Sequence, residues 1–357
     1  MVRLLPARQG RDIEEDVMAN LMKRWTMDGL GRDRLVLSEV EIPAPGPGEV
    51  LVKTGALSLN YRDKMVVEGG MGLDLQFPFT PLSDLAGTVA AVGPGVTRFA
   101  VGARVISTFV PHWIDGPARG SAAAPAYPTL GGLHQGVAAE YIVLSEEVLS
   151  TAPAGLTDAE ASTLPVAGLT AWFALIEEGR LAPGQTVALQ GTGGVSLFGL
   201  QIAKAAGARV IVTSGDDDKL ARALALGADH GVNRLKVNWA QEVIALTGGR
   251  GADHILEVAG GDNFDRSIAA AAVRGQIAVI GLLEGSELKG TVFPMLLKQL
   301  AVRGLVVGHR RALEDFVRFV DQQGLKPVID HEYAFADLHA ALDHLDRGPF
   351  GKIVLKV

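Results

Sequence analysis

From about residue 184 to residue 308 the chain alternates between short apolar runs and segments whose apolar positions recur at helical spacing. QTVALQ (185–190) reads as a buried strand, and VSLFGLQIAKAAG (195–207) as a helix ended by Gly207. RVIVTS (209–214) is the next strand and DDKLARALALGA (217–228) the next helix. The rhythm continues through HGV, a helix around NWAQEVIAL, HILEVA, a helix near DRSIAAAA, GQIAVIGLL, a helix near PMLLKQLA, and VRGLVVG (302–308). Six strands separated by helices demand a parallel sheet with right-handed crossovers, covered on both faces.

The first half has a different texture. PAPGPG (43–48) cannot be helix, and in GEVLVKTGALSL the apolar residues then alternate in strand fashion. LAGTVAAVGPGVTRFAVGARVIS (85–107) reads as meander or barrel strands with turns at Gly93-Pro94-Gly95 and Gly102. Residues 111–132 lack any period and form a long surface loop, either a lid or a passive connection. The C-terminal stretch 325–357 is mixed and closes on the strand GKIVLKV. The expected layout is a β-rich unit built from both ends of the chain (23–165 plus 309–357) with a doubly wound α/β unit inserted at 166–308. Residues 1–22 are charged and aperiodic, which reads as a disordered extension or an upstream start.

Composition narrows the chemistry. The chain has 357 residues, 48% of them hydrophobic, which suits large cores. It has no cysteine, so disulfides, thiolate-bound zinc, iron–sulfur clusters and cysteine nucleophiles are excluded together. A formal charge of −7 leaves no basic footprint for nucleic acid, and no run is long and apolar enough for a membrane span, so the cytoplasm is the expected address. There is no GxSxG elbow, Walker lysine, HExxH or HxxxH spacing, and no Tyr-x-x-x-Lys pair.

The sharpest local signal is Gly191-Thr192-Gly193-Gly194-Val195-Ser196, after a predicted strand and opening a predicted helix. Gly191 permits the tight turn, Gly193 lets a pyrophosphate approach the backbone, and the helix presents free N–H groups to that anion. Ser196 stands where a third glycine is usual. At the end of the second strand an acidic residue would repel a 2′-phosphate; Thr213, Ser214 and Gly215 stand there instead. Lys219 and Arg234 are candidate cations for such a phosphate, which favours NADP(H) over NAD. Asp216, Asp217 and Asp218 argue the other way unless they cap the helix and face away.

These motifs, taken in order, resemble the medium-chain dehydrogenase/reductase superfamily, and within it the zinc-free quinone oxidoreductase-like branch related to zinc-type alcohol dehydrogenases. The resemblance runs from about Lys23 to Val357 through PAPGPGEVLVK, SLNYRD, PLSDLAGTVAAVGPGVTRFAVGARV, GVAAEYIVL, LPVAGLTAWFAL, QGTGGVSLFGLQIAKAAGARVIVTS, KLARALALGAD and FGKIVLKV. It implies a GroES-like β-rich catalytic domain carrying an inserted Rossmann domain, and a homodimer paired through VRGLVVG, the last strand of that insert. In zinc-dependent relatives a Cys, a His–Glu pair and a second Cys hold the metal, and Asn60, Ser83 with Asp84, and Val166 stand at the matching places. No metal site is expected, and His112 and His134 read as loop or ordinary polar residues.

The resemblance further implies Asn60 near nicotinamide and substrate and Thr170 at the nicotinamide. It puts Gly193, Gly194 and Val195 at the pyrophosphate, with main chain at Ala259 and Ile280-Gly281 flanking the ring. Tyr61 is either a proton donor or a packed aromatic, and Arg62 and Asp63 either pair with each other, cap the following helix or act in catalysis. Met65 stands where some relatives carry a tyrosine, which argues against an enoyl-thioester reductase of that type. Substrate contacts are expected from His112, Trp113, Tyr127 and His134 in and beside the 111–132 loop.

The expected activity is zinc-independent hydride transfer from NADPH to a small quinone or α,β-unsaturated carbonyl. The alternatives are an NADP-dependent alcohol or aldehyde dehydrogenase without metal, and a non-catalytic NADP(H)-binding redox sensor.

Overall fold

The computed structural model describes residues 21–118, 120–124 and 128–357. The alternating segment forms six parallel strands: β1 (Thr186–Gln190), β2 (Arg209–Ser214), β3 (His230–Asn233), β4 (Ala252–Glu257), β5 (Ala271–Val279) and β6 (Ala301–Gly304), side by side as β3-β2-β1-β4-β5-β6. The order reverses between β1 and β4, where a crevice opens beyond the carboxyl ends of a doubly wound sheet. The architecture is the α/β Rossmann type expected.

A second sheet of seven strands draws on both ends of the chain. Its spatial order is Ile329–Ala334, Lys352–Lys356, Glu49–Ser58, Asp84–Val92, Arg104–Ser107 and Leu149–Thr151, with Tyr141–Ser145 also paired to Glu49–Ser58. The closing strand lies antiparallel to Glu49–Ser58, bringing Val354 opposite Ser58. The largest apolar cluster runs from this sheet through the helical stretch 158–178 into β1 and β2, so the two sheets share packing across the cleft.

Three boundaries shift. Leu21–Met27 is a strand paired with Leu35–Glu41, so Leu21 and Met22 belong to the fold; the rest of the proposed extension, residues 1–20, lies outside the described residues. The helix near DRSIAAAA stops at Ala270, and Ala271 already has extended geometry and opens β5. An alanine run carries no periodicity with which to place that break. The edge strand is Ala301–Gly304, shorter at its far end than VRGLVVG.

Candidate active site

Beyond the carboxyl ends of β1, β2, β4 and β5 lies a cleft of about 790 Å³, roofed by residues 59–65 and 345–352 of the other sheet system. Asn60, Tyr61, Thr170, Gly191, Thr192, Gly193, Gly194, Val195, Ser214, Lys219, Arg234, Ala259, Ile280 and Gly281 all line it.

The glycine turn fits a dinucleotide. Gly191 has φ +74°, and a Cβ at Gly191 or Gly193 would meet nothing within 4 Å, so this backbone is open to the cleft. Helix α2 (Gly194–Ala205) begins there with no side chain capping it, leaving its first N–H groups directed at the cleft. Ser196 fits because its hydroxyl donates to the Gln190 carbonyl at 2.7 Å, tying helix to strand. The close helix–sheet approach falls to Gly199, where a Cβ would lie 3.0 Å from both Leu189 and Leu256.

At the end of β2, Ser214 Oγ accepts from the Asp216 N–H at 3.2 Å. Asp216 caps helix α3 (Asp217–Ala225), accepting from the Lys219 N–H at 3.0 Å. Asp217 bonds Asn233 at 2.7 Å and pairs with Lys236, which lowers its pKa. Asp217 and Asp218 do not line the cleft, while Asp216, Lys219 and Arg234 do, so of the three acids Asp216 caps the helix without facing away. The Lys219 ammonium donates to the Gly348 carbonyl, and Arg234 lies 3.7 Å from Glu284.

Glu257, at the end of β4, is fully buried and receives only neutral donors. Its Oε1 accepts from the N–H groups of Ala259 (2.9 Å) and Gly260 (3.0 Å); its Oε2 accepts from Gln190 Nε2 (2.8 Å) and from the Ser267 hydroxyl. Asn263 Nδ2 lies 3.2 Å from both oxygens. Gln190 Oε1 in turn accepts from the Val258 N–H at 3.2 Å, so the loop 258–260 is held at every amide. Glu257 and Gln190 were not singled out from sequence; the signal was a carboxylate at the end of an otherwise apolar strand.

On the opposite wall stands a buried cluster around Asn60. Its Nδ2 donates to Asp84 Oδ2 (2.9 Å) and Ser83 Oγ (3.3 Å), and its Oδ1 accepts from the Lys352 ammonium (2.6 Å). Lys352 also donates to the Leu59 carbonyl at 2.6 Å and lies 3.9 Å from Asp84. Ser83 donates to Asp63 Oδ1 at 2.8 Å, and Asp63 Oδ2 accepts from the Asn60 N–H at 2.9 Å, capping helix α1 (Tyr61–Gly69).

Arg62 lies 3.5 Å from Asp63, so that carboxylate both pairs and caps. Burial pushes Asp84 up to about 7, opposed by Lys352 and the Asn60 bond. Burial likewise raises Asp63 against Arg62, and lowers Lys352 against the two carboxylates. Lys352 was missed from sequence, because nothing local to GKIVLKV shows that it reaches Asn60.

These residues do not make a zinc donor set. Asn60 and Ser83 are committed within the cluster, Val166 is apolar, and an ammonium lies among them. Among the described residues no group of three His, Asp or Glu side chains could hold a metal ion.

Tyr61 is 41% exposed at the cleft mouth, its ring 5.3 Å from the Lys64 ammonium, which corrects the packed-aromatic alternative. The substrate candidates of the 111–132 loop are also corrected. Trp113 is buried edge-on to Phe173 and His309, and neither it, His112 nor His134 lines the cleft; Tyr127 lies outside the described residues. The loop is pinned through Asp115 to Arg311 at 2.8 Å, and Trp113 packs into the core. Met65, Met71, Phe109, Leu282 and Leu283 supply the apolar lining instead.

Comparison with known proteins agrees with this geometry. Residues 46–154 match the alcohol dehydrogenase GroES-like domain and residues 194–322 the zinc-binding dehydrogenase domain. A zinc-type alcohol dehydrogenase-like protein of Schizosaccharomyces pombe is 39% identical, covering 92% of this chain and 96% of its own. A quinone oxidoreductase of Rattus norvegicus is 26% identical over 89% and 92%. Among solved structures, a Sinorhizobium meliloti protein provisionally assigned as an alcohol dehydrogenase superposes with TM-score 0.93 at 58% identity, covering 95% and 99% of the two chains. An NAD-dependent alcohol dehydrogenase superposes with TM-score 0.84 at 36% identity, covering 94% and 100%. The chain belongs to the medium-chain dehydrogenase/reductase superfamily and has its oxidoreductase fold.

Proposed function

We propose that the protein transfers hydride from NADPH to a quinone or to the β-carbon of an α,β-unsaturated carbonyl compound, without zinc. The observation that carries this reading is the composition of the cleft wall: where metal-dependent relatives need open donors, Asn60, Ser83, Asp84 and Lys352 are bonded to one another. Without a Lewis acid, forming and holding an alkoxide is costly, whereas a conjugated acceptor spreads the arriving charge over an enolate or quinolate.

When bound, the nicotinamide supplies the hydride, and one proton from solvent completes the reduced acceptor. The chain's own residues orient the partners. Gly191 to Val195 hold the pyrophosphate, Thr170, Ala259, Ile280 and Gly281 flank the ring, and Asn60 with Tyr61 borders the acceptor.

The preference for NADP(H) rests on the two cations in the cleft near the end of β2; Asp216, which caps helix α3, also lines the cleft and opposes it. Lys219 and Arg234 both line the cleft, and a 2′-phosphate gains a charge-assisted bond from each, worth roughly 1.5–3 kcal/mol. The NAD-dependent alcohol dehydrogenase among the similar structures marks the competing reading. Fluorescence titration decides: NADPH binds tighter than NADH, and Lys219→Ala with Arg234→Ala closes the gap by at least tenfold. Tighter NADH binding would overturn the assignment.

The activity is tested by NADPH consumption against quinones, enones and simple alcohols. Turnover of quinones or enones is expected. Metal-stimulated alcohol oxidation would refute the zinc-free reading, and cofactor binding without turnover of any acceptor would leave the protein a redox sensor.

The proposed domain division is 23–165 plus 309–357 for the catalytic domain and 166–308 for the nucleotide-binding domain. A homodimer through the β6 edge completes the proposal. Ala301–Gly304 is exposed at the sheet border, and helix α4 (Val292–Lys298) exposes Val292, Phe293, Leu296 and Leu297 at 64–67%. Phe293→Asp with Leu297→Lys is expected to give a monomer by gel filtration. None of the described helices is long and apolar enough to cross a membrane.

A further inference from the structure

We propose that Lys352 is a positioning residue for hydride transfer, its ammonium fixing the Asn60 amide and the Leu59 carbonyl while its stem buttresses the nucleotide loop. The inference rests on the cofactor reading above and extends it to a residue from the last strand of the chain.

Lys352 is 4% exposed, yet it lines the cleft. A lysine ammonium has three protons; two are placed at 2.6 Å, on Leu59 O and Asn60 Oδ1, and Asp84 lies 3.9 Å away. Such a group is built in, because an ion stripped of water is retained only where fixed acceptors replace the solvent.

The bonds determine what Asn60 offers the cleft. Both of its amide protons are used, on Asp84 and Ser83, and one lone pair of Oδ1 is used by Lys352. One acceptor site on Oδ1 remains. Turning the amide over would set its NH₂ against the ammonium and its oxygen against the Asp84 carboxylate, so the charged pair locks this orientation. Asn60 therefore meets a ligand as an acceptor of a hydroxyl or amide N–H, and it does not donate to an oxyanion.

The same side chain spans the two sheet systems. A Cβ on Gly194 would lie 2.5 Å from Lys352 Cδ, so the first residue of α2 packs directly on the lysine stem. One residue earlier, the Gly351 N–H donates to Thr192 O at 2.9 Å. The floor under the acceptor and the loop under the pyrophosphate are thus referenced to one residue. Losing that reference by a fraction of an ångström lowers the rate of transfer more than the affinity for either partner.

The test uses Lys352→Met, which keeps the stem and removes the ammonium, and Lys352→Cys, which in a chain without native cysteine can be aminoethylated at that position alone to rebuild an ammonium. NADPH affinity and the emission of bound NADPH are read by fluorescence without turnover, and kcat, KM and the isotope effect with deuterated NADPH are read during it. The expected result for Lys352→Met is an NADPH Kd within threefold of wild type, shifted NADPH emission, kcat at least 30-fold lower with KM little changed, and a larger isotope effect. Aminoethylation of the cysteine variant is expected to recover at least tenfold in kcat.

If the uncompensated carboxylates prevent Lys352→Met from folding, the charge-balanced Lys352→Met/Asp84→Asn variant is measured in its place, with the same expectation. A kcat within threefold of wild type, a loss of NADPH affinity as large as the loss of kcat, or no recovery on aminoethylation would overturn the proposal. Wild-type protein that fails to bind NADPH or to reduce any acceptor refutes the cofactor reading instead, so the two failures are distinguishable.

Discussion

Glu257→Gln is the sharpest test of how the cleft wall at the end of β4 is held. Removing a buried charge relieves desolvation, so on that ground alone the variant should be more stable. The donor inventory opposes this. In the wild type both carboxylate oxygens accept, from the Ala259 and Gly260 amides on one side and from Gln190 and Ser267 on the other, with Asn263 between them.

A glutamine must place an NH₂ on one side. Toward Ala259 and Gly260 it meets two main-chain N–H groups that cannot rotate. Toward Gln190 it meets an amide that cannot turn over, because the Gln190 carbonyl oxygen accepts from Val258. At least one buried donor is left unpaired, at about 1–3 kcal/mol, and the surviving bonds each lose about 1 kcal/mol of charge assistance. Against a few kcal/mol of relieved desolvation, the net is a loss of roughly 3 kcal/mol, or a Tm lower by about 6–12 °C at 2–4 °C per kcal/mol.

Because the loop 258–260 also moves, NADPH affinity should fall about tenfold, on the order of 1.4 kcal/mol. Thermal melts and NADPH fluorescence titrations read the two effects. A Tm within about 2 °C of wild type with unchanged affinity would refute the view that the carboxylate organises this loop.

Ser196→Ala removes the 2.7 Å bond to the Gln190 carbonyl and should lower stability by about 1–2 kcal/mol in urea unfolding. Gly199→Val forces a branched side chain against Leu189 and Leu256 and should lower it by about 1–3 kcal/mol or more, without altering the turn at Gly191. Asp84, raised from 3.8 to about 7, binds its proton more tightly folded than unfolded, so stability falls as pH rises from about 4 to 7. About three units at 1.36 kcal/mol give roughly 4 kcal/mol over that window. Asp84→Asn should remove the Asp84 share of this slope in urea midpoints at pH 4.5 and 7.5, leaving the part due to Asp63, which burial shifts in the same direction.

The glycine-turn side of the cleft was legible because its determinants are local. RVIVTS forms β2 over residues 209–214, and the glycine turn, the α3 cap and the cations at 219 and 234 lie within one or two elements of it. The Asn60 side was not, because its partners are remote in the chain. Lys352 and Asn60 are 292 residues apart, and their contact depends on the antiparallel pairing of the last strand with Glu49–Ser58. Trp113 misled for a related reason: an aromatic in an aperiodic loop reads as a ligand contact until the helix at 310–323 supplies the core that buries it.

The fate of the metal positions bears on direction as well as rate. Asp63 and Asp84 are matched by Lys352 and Arg62, so the wall is close to charge-balanced, and most of its polar atoms bond one another, with Asp84 Oδ1 and Arg62 Nε left over. Such a cluster can align groups, but its ammonium is held on Leu59 O and Asn60 Oδ1, so a developing alkoxide meets no open metal-like cation there. Alcohol oxidation needs such a cation to hold the alkoxide and a base to take the hydroxyl proton, whereas a quinone or enone carries its own electron sink and needs only to be held at the right distance. The apolar lining from Met65, Met71 and Phe109 suits such flat, conjugated acceptors. If simple alcohols are nonetheless oxidised with metal-independent rates comparable to enone reduction, the proton must leave through Tyr61 at the mouth, and Tyr61→Phe would then abolish oxidation while sparing reduction.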